Sequence, residues 1–264
     1  MSSIDALFER TRSENRAALV GYLPAGFPSK DLSIRAIETM VDAGVDLVEV
    51  GLPYSDPVMD GPTIQAAADV ALAGGTRIRD VFDVVKASAA TGAPTVVMTY
   101  WNPVERYGVE RFAADLAAAG GAGLITPDMT PDEAEEWITA STAHELSRVF
   151  LVAPSSTDER LAMTAEAASG FVYATAVMGV TGQREQTSNL APELVARLRE
   201  VTDKPVGVGL GVSNGAQAHE VAAFSDAVIV GSALVRCLLD HDEPDDALAA
   251  LRALVADLRA GVER

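Results

Sequence analysis

The chain has 264 residues, 48% of them hydrophobic, which is enough for a substantial core, and its 38 acids against 20 bases give a formal net charge of −18. That balance argues against nucleic acid and anionic membrane as partners, since both require a basic footprint. No run reaches the roughly 18 uncharged apolar residues of a membrane helix, the N-terminus has no secretory leader pattern, and the single Cys237 excludes an internal disulfide and fits a reducing compartment, so a cytoplasmic location is expected.

An amphipathic helix is predicted over 4–10, and a unit then repeats eight times: a short apolar run, a turn with Gly, Pro, Ser or Asp, and a helix of 3.6 periodicity. The predicted strands are 17–23, 47–51, 95–100, 123–126, 149–152, 171–175, 206–209 and 227–230. The predicted helices are 32–43, 64–73, 81–90, 111–119, 131–140, 158–168, 192–201 and 215–223, with a last one over 245–260. Gly44, Gly92, Gly120 and Gly170 follow helices where a C-cap belongs. With no composition shift and no long linker, the pattern predicts a single domain over 1–264 of the α/β class, a (β/α)8 TIM barrel with an extra N-terminal helix. A doubly wound open sheet is the alternative. In a barrel, function gathers at the C-terminal ends of the strands. Alternation turns Tyr22, Glu49, Met98, Tyr100, Tyr173 and Thr175 inward near those ends.

The stretch LVEVGLPYSDPVMDGPT over 47–63 holds an anomaly. Glu49 stands inside an apolar strand, where an unpaired carboxylate is costly or has to hold a proton. Asp60 follows across a loop, just before Gly61 and Pro62, which read as a helix start with proline at its first position. Two carboxyl groups in unlike environments are what acid–base chemistry at neutral pH requires. Glu49 could instead form a buried ion pair, but no predicted strand carries an arginine or lysine. Asp60 could instead be plain helix-start punctuation, and spacing alone leaves that open.

Glycine turns follow the last three strands, at 179–182, 209–213 and 230–233. After strands seven and eight of a barrel, such turns with a short extra helix commonly bind phosphate. Gly211 would let backbone approach an anion closely, and Gly231 and Ser232 would offer N–H groups and a hydroxyl at a helix start. Tyr22, Tyr100 and Tyr173 at the barrel mouth suit a flat apolar ligand, or simply fill space. Other chemistries lack their parts. A Schiff-base lysine has to project into the barrel, yet Lys30 and Lys86 fall on helical stretches and Lys204 precedes strand seven. A metal site needs ligands clustered at the strand tops, yet His144, His219 and His241 are scattered, so no metal is expected. Cys237 reads as packing within a helix. No dinucleotide fingerprint is followed by an acid at the right distance.

These motifs resemble the family of tryptophan synthase alpha subunits over essentially the whole length. The most specific match is LVEVGLPYSDPVMDG over 47–61, joined by MTYWN over 98–102, GVTG over 179–182, GLG over 209–211 and Gly231-Ser232. The resemblance implies cleavage of indole-3-glycerol phosphate to indole and glyceraldehyde 3-phosphate, a retro-aldol without metal or Schiff base. It implies Glu49 as general acid/base, Asp60 as acceptor from the indole N–H, and Tyr173 as an active-site tyrosine. Tyr22, Ile64, Met98 and Tyr100 would line the indole pocket; Gly182, Gly211, Gly231 and Ser232 would hold the phosphate; and Thr181 would position Asp60 from a closing loop. It further implies an α2β2 heterotetramer with a beta subunit, contacted through 53–57 and the surface near Trp101 and Asn102. That partner would hold the pyridoxal phosphate, and this chain no cofactor of its own. Two departures are Tyr22, where phenylalanine is common, and Leu210, where another bulky apolar residue is usual; both are expected to alter pocket shape. The aspartate of Thr126-Pro-Asp128 is kept. Another phosphate-sugar barrel enzyme, or a partner-activating subunit with negligible catalysis, are the other readings.

Overall fold

Each of the eight apolar runs forms a strand, and the strands pair in parallel in sequence order: β1 (Ala18–Pro24), β2 (Leu47–Gly51), β3 (Thr95–Met98), β4 (Gly123–Thr126), β5 (Ser147–Val152), β6 (Val172–Thr175), β7 (Val206–Gly209) and β8 (Ala227–Val230). β8 pairs back onto β1, with Ala18 opposite Ala227, so the sheet closes into a barrel without an edge. The computed structural model describes residues 2–175 and 190–264. Thr181 and Gly182 lie outside the described residues.

Side chains of a strand alternate between its two faces, and the chain uses both. Ala18, Val20, Leu47, Val96, Ile125, Val149, Ala227 and Ile229 fill the barrel interior, together with Phe171 just before β6. Leu19, Val48, Val50, Val97, Leu124, Phe150, Val172 and Val228 face the surrounding helices. The N-terminal helix α1 (Ser3–Ser13) closes the bottom with Ile4, Leu7 and Phe8, and the Phe8 ring lies 5.8 Å from that of Phe171. The outer ring comprises α2 (Lys30–Ala43), α3 (Pro62–Ala73), α4 (Ile78–Ala90), α5 (Trp101–Tyr107), α6 (Val109–Ala118), α7 (Glu135–Ala143), α8 (Asp158–Ala167), α9 (Leu190–Val201), α10 (Gly215–Ala222), α11 (Ser232–Leu239) and α12 (Pro244–Gly261). Gly44, Gly92, Gly120 and Gly170 all have φ between 83° and 121° behind their helices. That is the left-handed backbone glycine accepts without a Cβ clash.

Three local readings need correction. The third strand ends at Met98, not 100: Tyr100 is the N-cap of α5, a helix the sequence reading did not include. Pro103 misleads there, because Asn-Pro reads as a turn, yet proline is harmless in a first helical turn whose N–H groups are free. The helix predicted over 131–140 is one 3₁₀ turn (Pro131–Glu133) followed by α7. The fifth strand begins at Ser147, so it does contain an arginine. Arg148, however, sits at the bottom of the barrel, where its guanidinium donates to Ala167 O, Ser141 Oγ and Thr142 Oγ1, each at 3.1 Å. It is no partner for Glu49.

A buried clamp ties the bottom together. Asp46, just before β2, accepts from Arg16 Nη1 at 2.6 Å, Arg16 Nη2 at 2.8 Å, Leu19 N at 2.9 Å and Arg10 Nη2 at 3.2 Å. Asp46→Ala would leave the buried Arg16 guanidinium without that partner, and removing one member of such a pair costs about 3–5 kcal/mol. A drop of that size in the urea unfolding free energy is the expected result. Among the described residues, no helix is long and apolar enough to cross a membrane.

Candidate active site

The alternation that fills the barrel bottom also builds the site above it. Two residues beyond inward Val20, Leu47, Val96, Val149 and Phe171 come Tyr22, Glu49, Met98, Leu151 and Tyr173, and all five line one cavity of about 270 Å³. Asp60, Gly61 and Ile64 close one side of it, and Thr175, Gly209, Gly211, Gly231 and Ser232 another. Two tyrosines fit because the neighbouring strands end in glycine. A Cβ on Gly51 would lie 2.3 Å from Tyr22 Oη, and one on Gly209 would lie 2.5 Å from Tyr173 Oη. Gly209→Ala is therefore expected to push the Tyr173 ring into the cavity and lower turnover on the chain's substrate about tenfold or more; steady-state rates on a folded variant would measure it.

Glu49 is 1% exposed, pairs in register with Tyr22 across β1 and β2, and its Oε2 has no hydrogen-bond partner among the described residues. Burial, followed by the Asp60 charge, pushes its carboxyl up to about 8. It is thus protonated at neutral pH and poised to give that proton up. Burial, and then the nearby carboxylates, likewise raise the Tyr22 and Tyr173 hydroxyls well above the ordinary tyrosine value, so both stay protonated.

Asp60 is not helix punctuation. Gly61 is the N-cap of α3 with Pro62 in its first turn, while the Asp60 carboxyl accepts from Tyr100 Oη at 3.1 Å. Burial raises the Asp60 carboxyl, and the Tyr100 hydrogen bond offsets part of that rise. Two carboxyl groups therefore border one cavity, the deeper neutral and the shallower more easily ionised.

The far end suits an anion. Gly231 caps α11 without a side-chain hydrogen bond, and Ser232 opens that helix, whose first N–H groups carry partial positive charge. Gly211, at φ 71°, has no heavy atom within 4 Å of where a Cβ would stand, so its backbone is open to approach.

Of the residues expected at the site, Glu49, Asp60, Tyr173, Tyr22, Ile64, Met98, Gly211, Gly231 and Ser232 come together around this cavity. Tyr100 is not among the residues that line it: β3 stops two residues earlier, and from the N-cap of α5 the Tyr100 hydroxyl reaches the Asp60 carboxyl at 3.1 Å. Leu210 packs on the outer core rather than on the cavity, so it does not shape the pocket directly. Pro127, Leu151 and Ile229 line the cavity and were not singled out from sequence. Continuing the inward alternation from Val149 and Ala227 would have found two of them. A larger groove of about 350 Å³ lies outside the barrel between Tyr54, Leu72, Val81 and Tyr107, but no carboxylate lines it.

The described residues contain no group of three or more His, Cys, Asp or Glu able to hold a metal ion. No lysine lines the cavity. Lys204 donates to the carbonyls of Ala165, Glu166 and Ala168 at the barrel bottom, and Lys30 bonds Asp80 and Asp83. Cys237 Sγ donates to Ala233 O at 3.4 Å and packs against the outer core.

A family model described as "Tryptophan synthase alpha chain" matches residues 8–263. The chain is 64% identical to the tryptophan synthase alpha chain of Salinispora arenicola, over 99% of this chain and 98% of that one. It is 57% identical to that of Mycobacterium marinum, over 100% of this chain and 96% of the relative. Among solved structures, it superposes on a chain of the aminoacrylate-bound tryptophan synthase from M. tuberculosis with a TM-score of 0.91 at 54% identity, covering 100% of both chains. The alpha subunit from Legionella pneumophila str. Paris keeps a TM-score of 0.90 at 30% identity, over 99% of this chain and 98% of that one. The barrel, its two carboxyl groups and a match over nearly the whole length agree: the chain belongs to the tryptophan synthase alpha chain family.

Proposed function

We propose that Glu49 and Asp60 divide the proton and charge handling of this family's reaction, the cleavage of indole-3-glycerol phosphate to indole and glyceraldehyde 3-phosphate in tryptophan biosynthesis. The chain is a carbon–carbon lyase. What carries the residue assignment is the carboxyl of Glu49, buried and held near 8 on the wall of a cavity that Asp60 shares.

The glyceryl chain leaves only if the electrons of its bond to indole C3 have somewhere to go. Protonated Glu49 gives its proton to C3, which turns the ring into an iminium cation with the charge on nitrogen. The Glu49 carboxylate then takes the proton of the adjacent hydroxyl. The O–H electrons become the carbonyl of the aldehyde, the carbon–carbon bond breaks, its electrons re-form the C2=C3 double bond of indole, and the iminium pair returns to the ring nitrogen. Glu49 ends as it began. Asp60, ionised beside the ring N–H, stabilises the transient cation. Tyr22, Ile64 and Met98 sandwich the ring, and Tyr173 holds its position beside Glu49. Gly211, Gly231 and Ser232 grip the phosphate through backbone N–H groups, which suits a chain of net charge −18 with few cations to spare. Thr181 and Gly182 complete that grip and the closing loop by resemblance.

The chain acts as a single catalytic domain over 1–264, in the cytoplasm, without a cofactor of its own. Its family implies a beta-subunit partner. We take the assembly to be α2β2, docked through the 53–57 loop and the surface near Trp101 and Asn102, with pyridoxal phosphate on the partner. The test is indole release from indole-3-glycerol phosphate by the purified chain, alone and with a tryptophan synthase beta subunit. Slow release that rises sharply with the partner is expected. Release in neither condition would overturn the substrate and favour a partner-activating subunit.

A further inference from the structure

We propose that Tyr100 is a positioning residue for Asp60: its hydroxyl ties the Asp60 carboxyl to the Met59 amide, and so sets where the second carboxyl of the cavity sits. This rests on the reading of Asp60 as a catalytic group.

The geometry gives Tyr100 no other task at the site. Its ring is 5% exposed and absent from the cavity wall, yet its Oη donates to Asp60 Oδ1 at 3.1 Å and accepts from Met59 N at 2.9 Å. One hydroxyl thus grips two consecutive residues of the loop between β2 and α3. The far end of that loop is otherwise open: Val58 is 79% exposed and Met59 53%. The anchor itself is firm. Thr99 N donates to Ile125 O at 3.1 Å, and Trp101 N lies 3.0 and 3.1 Å from the two carboxyl oxygens of Asp128, so the backbone on both sides of Tyr100 is tied to β4 and the loop after it. A second attachment runs from the outer surface. Tyr54 of the same loop packs its ring 5.4 Å from that of Tyr100, and its hydroxyl accepts from Asn102 Nδ2 at 3.0 Å. The start of α5 therefore holds the loop at two points, and the inner one is the carboxyl that faces substrate.

The electrostatics agree with this geometry. Burial, more than any other effect, raises the Tyr100 hydroxyl to about 12, so it remains a donor throughout the working range. A hydrogen bond donated to a carboxylate favours the charged form. The other titratable groups facing Asp60 are Glu49 on β2 and Tyr22 on β1; Gln65 Nε2 binds the Asp60 backbone carbonyl at 2.7 Å and leaves the carboxyl alone. Both of those groups are neutral below about pH 8, which leaves Tyr100 as the side chain that stabilises the Asp60 charge among the described residues.

The experiment is Tyr100→Phe in the full chain, assayed for indole release from indole-3-glycerol phosphate across pH, beside Asp60→Asn. Phenylalanine keeps the ring and its contact with Tyr54. The expected result is kcat lowered about tenfold to a hundredfold, the range of one hydrogen bond to a charged group, with KM nearly unchanged and the acid limb of kcat/KM moved to higher pH. Site-specific 3-fluorotyrosine at Tyr100, which keeps the shape and sharpens the donor, should move that limb the other way even if the phenylalanine variant folds poorly. A rise in KM alone with an unmoved acid limb would make Tyr100 a wall of the ring pocket and overturn the proposal. Normal cleavage by Asp60→Asn would remove the reading of Asp60, and the proposal with it.

Discussion

Glu49→Gln is expected to cut indole release about a thousandfold while leaving the barrel folded. A positioned acid–base group contributes about 10²–10⁴ in rate, and glutamine keeps the volume but can neither give a proton to the ring nor take one from the hydroxyl. The wild-type rate should hold up to neutral pH and fall as Glu49 loses its proton near 8. A variant that keeps near-normal turnover would sink the mechanism.

The same substitution has an opposite consequence for stability. The Glu49 carboxyl is raised from an ordinary 4.5 to about 8, so between those values the folded chain holds a proton that the unfolded chain has lost. Stability rises with pH only where the unfolded state binds more protons. Here it binds fewer, so wild-type stability should decline as pH climbs through that window, by about 3–5 kcal/mol in all. Glutamine does not titrate, and urea unfolding at pH 5 and pH 8.5 should show this component of the decline missing from the variant. A site held in an unfavourable environment for chemistry's sake behaves this way.

Asp60→Asn is expected to cost about 10²–10³ in kcat, the scale of one preorganised group aimed at charge that develops only in the transition state. Substrate affinity should change far less, because the ground-state indole N–H can still donate to the amide oxygen. Burial raises the Asp60 carboxyl, so the wild-type acid limb should lie above the pH at which an exposed aspartate loses its charge. The residual activity of the asparagine variant should lack that limb, and pH profiles of kcat/KM would check this. An acid limb that persists in Asp60→Asn would assign it to another group.

How much of this was legible in the residue order follows from the range of each interaction. Alternation of apolar side chains is local, and it was sufficient for eight strands and for the inward direction of Tyr22, Glu49, Met98 and Tyr173; the count of eight units favoured a barrel over an open sheet, and the pairing of β8 onto β1 decides it. Glu49 stood out because a charge within LVEVG contradicts its neighbours, and that contradiction survives without coordinates. Asp60 did not stand out so cleanly. Its spacing before Gly61-Pro62 fitted a helix cap equally well, and only the hydroxyl of a residue 40 positions away decides otherwise. The position of Tyr100 was misread for the same reason: where β3 stops depends on α5 starting at Trp101, and an Asn-Pro pair hides that start.

By itself, then, the amino-acid order determined the eight strand–helix units, the inner layer of side chains and the buried acid, because these follow from hydrophobic period and from the cost of an unpaired charge in an apolar strand. The tertiary structure alone decided which carboxyl meets which hydroxyl, which glycines make room for Tyr22 and Tyr173, and that Arg148 lies at the wrong end of the barrel to neutralise Glu49. Those contacts join residues tens of positions apart, and no local periodicity encodes a distance between strands that have not yet closed.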